Sequence, residues 1–63
     1  MEDAKRTILQ NDVVYKIIDA MESIDDVATG GGLKLTEMSE LKRLKNMLGQ
    51  SLTVAKNILD GRV

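Results

Sequence analysis

Five apolar residues in the first half of the chain, Val14, Ile17, Met21, Ile24 and Ala28, follow one another at steps of 3, 4, 3 and 4. That spacing keeps one stripe of an α-helix apolar and is the a/d pattern of a bundle helix. Leu9, Val13, Ala20 and Val27 widen the stripe on one side. At about 100° per residue, Ala4, Ile8, Asn11, Tyr15, Ile18 and Glu22 form a second line roughly 120° round the helix. A single neighbouring helix cannot cover both lines. The spacing predicts a first helix over about residues 3–27. Asp25 and Asp26 oppose this length, because carboxylates sit badly at the negative end of a helix dipole, and favour an end near Ser23 or Ile24.

A second helix is expected over about residues 36–60. Thr36 is a suitable N-cap, and Glu37 and Glu40 suit the positive end of the dipole. Met38, Leu41, Leu44, Leu48, Leu52, Ala55, Ile58 and Leu59 make a wide apolar face, with Met47 and Val54 at one margin. Gly61 falls where glycine commonly ends a helix. Residues 28–35, "ATGGGLKL", form a Gly-rich turn in which Leu33 and Leu35 fold back over the apolar end. The same Gly-Gly-Gly run would also serve as a joint between helices of separate origin. The expected fold class is all-α: an antiparallel two-helix hairpin forming a single domain over residues 1–63.

Such a hairpin has a stability problem. A chain of 63 residues buries only about 60% of the surface it exposes when unfolded, and small folds usually recruit disulfides, a metal or a second chain to make up the shortfall. This one has no cysteine and no histidine, so self-association is the remaining route. Two hairpins pairing into a homodimeric four-helix bundle would bury both wide faces. The expected self-association core is Val14, Ile17, Met21 and Ile24 of the first helix with Leu41, Leu44, Leu48, Leu52, Ala55, Ile58 and Leu59 of the second. Ile8, Tyr15 and Ile18 on the second line are a further interface, either within the dimer or toward another protein.

Composition narrows the function classes. The longest apolar runs are pairs and triples such as Val13-Val14-Tyr15, far short of the roughly 20 residues that span a bilayer. The opening "MEDAKRT" lacks a secretory signal's layout, so a cytoplasmic location without membrane attachment is expected. The glycine run is not a phosphate loop, because leucines separate Gly32, Lys34 and Thr36 and a helix rather than a strand precedes it. Asp12, Asp19 and Asp26, seven apart, lie on one line about 150° from the main stripe, as a solvated face or a docking surface for a basic partner. No EF-hand spacing occurs, and neither a catalytic set nor a cofactor site is expected.

Charge is uneven: residues 1–29 carry a net −4 and residues 33–63 a net +3, for −1 overall. Lys42, Lys45 and Lys56 share one edge of the second helix, which nucleic acid could use, although Glu37 and Glu40 dilute it. Gly49 in the middle of that helix needs either a close helix crossing or a break. A break would fit a resemblance. "LKRLKNMLG" followed by "VAKNILDG" resembles the first two helices of phage-repressor-like helix-turn-helix domains, with Leu41, Leu44, Leu48, Gly49, Ala55 and Leu59 at packing and turn positions. It spans 21 residues of common types, and the helix that reads bases in that family would follow Gly61. The sequence therefore supports a small non-enzymatic interaction module, an adaptor, inhibitor or assembly factor working through self-association and a helical docking face. The alternative is a nucleic-acid-binding regulator using the lysine edge.

Overall fold

The computed structural model describes residues 1–62, and Val63 lies outside the described residues. Two helices account for almost all of it. The first is a continuous rod made of α1 (Asp3–Ile8), a π-helical segment (Leu9–Val14) and α2 (Tyr15–Thr29); the second is α3 (Leu35–Leu59). Ile8, Leu9, Val14 and Tyr15 all keep right-handed helical dihedrals, so the rod passes both junctions unbroken. Residues 30–34 join rod to α3, with Gly31 and Gly32 at φ of +78° and +77°, a region closed to most side-chain-bearing residues.

Contacts between the helices run in opposite order along the chain. Asp25 meets Lys45, Met21 lies beside Gly49, and Val14 packs with Ala55 and Leu59. The hairpin is therefore antiparallel. It measures 45 × 19 × 10 Å, with a radius of gyration of 14.4 Å where a compact chain of this length has about 10.6 Å. Its thickness is that of one layer of helices. Among the described residues only Val14, Ala55 and Leu59 are buried, with Leu9, Ile18 and Leu52 packed around them.

The π-helical segment was not anticipated, and it changes how the rod's faces line up. In a regular helix Leu9 and Val14, five positions apart, would point about 140° away from each other. A π-helix bonds i to i+5, which in effect absorbs one extra residue. Leu9 is thereby carried onto the Val14 core.

Two helix ends and the turn between them differ from expectation. The rod runs to Thr29 rather than stopping near Ser23, Ile24 or residue 27, because the Asp25 carboxylate is met by Lys45 Nζ at 2.7 Å from α3. Thr29 Oγ1 also donates to the Asp25 carbonyl at 2.7 Å. At the other helix Lys34, not Thr36, is the N-cap, and Glu37 Oε1 accepts from the Lys34 backbone N–H at 2.9 Å. Placing the start there lets a charged acceptor satisfy the cap. Leu33 is half-buried, but Leu35 stands 87% exposed instead of folding back over the end.

α3 stops as the sequence predicts. Gly61 adopts φ of +72°, its N–H donates to Ile58 O at 3.2 Å, and Arg62 N–H donates to Asn57 O at 2.8 Å. This is a Schellman termination, in which a left-handed residue lets the chain return its N–H groups to the last carbonyls.

Gly49 neither breaks α3 nor permits a tight crossing. The helix is continuous through it, and a Cβ built there would meet only Met21 Cε at 3.8 Å, an ordinary contact. The two-helix arrangement implied by the helix-turn-helix resemblance is therefore not adopted. Gly49→Ala should raise stability by about 1 kcal/mol, since nothing opposes the gain in helix propensity. Thermal denaturation should register this as a rise of about 4–8 °C. An unchanged or lower midpoint would mean that Met21 needs the space.

Candidate functional site

The two broad sides of the hairpin differ in chemistry. On one side the rod presents Val13, Ile17, Ala20, Ile24 and Val27, at steps of 4, 3, 4 and 3. Beside it α3 presents Leu44, Met47, Ser51, Val54 and Ile58, at steps of 3, 4, 3 and 4. Both are a/d seams, but each lies to the side of the line where the helices touch. Val13, Val27, Leu44, Met47 and Val54 remain exposed, and Val54 is 58% exposed. Ser51 does not interrupt the apolar character, because its hydroxyl donates to Met47 O at 3.1 Å.

A shallow groove marks each end of this face. At the end nearer residues 30–34, Val27, Leu33, Leu41, Leu44 and Met47 line a depression of about 520 Å³ rimmed by Glu37, Glu40 and Arg43. Arg43 pairs with Glu40 at 3.6 Å. At the opposite end Met1, Ile8, Leu9, Val13 and Ile58 line one of about 380 Å³, with Lys5 on its rim. Both grooves are open to solvent and far more apolar than polar.

The other side is mixed rather than uniformly apolar. Near residues 30–34 the Asp25–Lys45 ion pair, Lys42 and Ser39 border a depression of about 380 Å³ whose remaining lining is apolar, with Ile24 reaching it from the rod and the exposed Leu35 and Met38 from α3. Near the π-helical segment, Arg6, Thr7, Gln10, Asn11, Lys56 and Asp60 surround a depression of about 510 Å³. Arg6 and Lys56 are opposed there by Asp60 and by the carbonyl end of α3, so the spot is not strongly electropositive.

Against this layout the sequence-derived residue sets divide. Val14, Ala55 and Leu59 are buried within one chain, Ile17, Met21, Ile24, Leu41, Leu48, Leu52 and Ile58 are half-buried, and Leu44 is exposed. The proposed second interface is not one surface. Ile18 packs on the intrachain core, Tyr15 is half-exposed, and Ile8 joins Val13 and Ile58 at the end groove. The π-helical segment separates Ile8 from the other two: by absorbing a residue it turns the part of the rod before Leu9 away from the line that Tyr15 and Ile18 continue.

The lysine edge is also divided. Lys45 is engaged with Asp25, leaving Lys42 and Lys56, which at 14 positions apart are separated by about 21 Å along the axis. Asp12, Asp19 and Asp26 are all exposed. No helix of the described residues is long and apolar enough to cross a membrane.

What sequence reading underrated was the line of Val13, Ala20 and Val27, treated only as a broadening of the main stripe. Its seven-residue repeat, matched by Leu44, Ser51 and Ile58, was the available signal. Comparison with known proteins finds no matching family model, curated protein or solved structure.

Proposed function

We propose that this chain is a small non-enzymatic protein-interaction module, an adaptor, inhibitor or assembly factor, that works as a homodimeric four-helix bundle. The supporting observation is surplus surface. A compact protein of 7.0 kDa exposes about 4,000 Å², whereas this chain exposes 4837 Å². The surplus, roughly 800 Å², equals what each partner buries in a protein interface of ordinary size. It coincides with a single-layer shape and, among the described residues, a core of Val14, Ala55 and Leu59. Stable domains stack at least two layers, and a second hairpin supplies the missing one.

Pairing would leave the other side, with Lys42, Lys56 and Tyr15 and the apolar Leu35 and Met38, facing outward as the docking face toward another protein. Nucleic acid is the weaker reading, since Lys45 is engaged within the chain and the remaining lysines are widely spaced.

Self-association makes stability depend on concentration. Light scattering at micromolar concentration should return twice the chain mass, and the thermal midpoint should climb as protein concentration rises. A fully helical monomer with a concentration-independent midpoint would remove this reading.

A further inference from the structure

From the pattern of side-chain sizes on the apolar face we infer how the two copies meet: antiparallel, with the two-fold axis at the level of Ala20 and Ser51. The inference rests on the self-association proposed above and deepens it by specifying the surface and its register.

Each seam repeats large, small, large at seven-residue intervals: Val13, Ala20, Val27 on the rod and Leu44, Ser51, Ile58 on α3. Asp25 opposite Lys45, and Met21 beside Gly49, put residues whose numbers sum to about 70 at the same height. Ala20 and Ser51 therefore share one level, in the middle of the face. Helices packed at about 20° are closest where they cross and diverge toward their ends. Small residues at the crossing let backbones approach, and larger ones fill the widening space on either side. A closed dimer needs a self-complementary patch in which residue i meets j and j meets i. Rotation about the Ala20–Ser51 level places Val13 on the partner copy's valine of the other end and Leu44 on its isoleucine, so large meets large at both ends. The Ser51 hydroxyl already bonds to Met47 O, so it enters a dry interface satisfied.

Charge points the same way. The groove near residues 30–34 is rimmed by Glu37, Glu40 and Arg43, and the Arg43–Glu40 pair leaves Glu37 as its surplus charge; the opposite groove is rimmed by Lys5, whose ammonium lies 3.9 Å from Glu2 at the solvent-exposed edge. Antiparallel pairing sets the Lys5 end of one copy over the Glu37 end of the other, while parallel pairing sets like ends together.

The chain has no cysteine, so single substitutions report cleanly. Ala20→Cys and Ser51→Cys should each give a disulfide-linked dimer on mild oxidation, because bridging needs Cα atoms within about 7 Å and both sites lie on the axis. Tyr15→Cys, away from this face, should not. If the homogeneous Ala20→Cys and Ser51→Cys proteins fail to cross-link but a mixture of the two does, the copies pair in parallel and the register is wrong. Cross-linking through Tyr15→Cys alone places the contact on the other side. In both cases light scattering would still show a dimer, leaving the proposed self-association intact. A monomer by scattering, with no cross-link at any site, would remove both.

Discussion

Deleting Asn11 should leave the protein folded, with a thermal midpoint within a few degrees of the parent, whereas deleting Asp19 should abolish cooperative folding. Both side chains are exposed, so neither deletion removes a core contact directly. The difference lies in the backbone around them. Asn11 is inside the π-helical segment, where one residue more than a regular helix needs is accommodated between Leu9 and Val14. Removing it converts i→i+5 bonding to i→i+4, and Leu9 stays on the core line. Asp19 sits within regular α2, so its loss turns one flank of the rod by about 100° relative to the other. If the upstream part turns, Val14, now 2% exposed, leaves the core together with Leu9 and Ile18. Burial of each such side chain is worth about 1.5–3 kcal/mol, and small domains hold only about 5–15 kcal/mol in all. Circular dichroism during heating reads both variants. Equal damage from the two deletions would show that the π-helical segment does more than correct the phase.

This contrast marks the boundary of what the sequence made legible. The hairpin was readable because Val14, Ile17, Met21, Ile24 and Ala28 keep the helical step over a long segment, and a long repeat outweighs local uncertainty. The Schellman end at Gly61 was readable because few residues other than glycine accept its dihedral angles. Reading the wheel at a constant 100° per residue hid the π-helical segment, and with it the true neighbours of Ile8. Helix boundaries failed where a side-chain contact, distant or local, decided them. Asp25 looked like a reason to stop, and Lys45, twenty positions away, is the reason the rod continues. Thr36 looked like the better cap by residue type, but Glu37 reaching back to Lys34 sets the start two residues earlier.

The candidate face shows the same limit from another side. Every residue of the two exposed seams except Ser51 was visible as apolar and helically spaced. Which apolar residues a hairpin uses for itself depends on where its two axes touch. Once Val14, Ala55 and Leu59 are assigned to that contact, Val13, Val27, Leu44, Met47 and Val54 become surplus, and surplus is what distinguishes an interface from a core.

Charging the surplus face should therefore do more than separate the copies. Met47 and Val54 are 53% and 58% exposed in the single chain, so Met47→Lys with Val54→Lys costs the isolated hairpin almost nothing. In a bundle the same two positions, supplied by both copies, would put four ammonium groups into one apolar seam. Each unpaired buried charge costs several kcal/mol, more than an ordinary interface can spare. The double variant should be monomeric by light scattering at every accessible concentration. Because the described residues of a single hairpin bury only Val14, Ala55 and Leu59, the monomer should also lose much of its helicity at micromolar concentration, where the parent should remain helical. The matched control is Lys42→Ala with Tyr15→Ala on the other side, which should leave mass and midpoint nearly unchanged. A stable, helical, monomeric double-lysine variant would show that one layer suffices for folding, and would confine the face to a role in binding. A dimer that survived both lysines would place the contact on another surface, and the seven-residue repeats of Val13, Ala20, Val27 and Leu44, Ser51, Ile58 would then have no part in assembly.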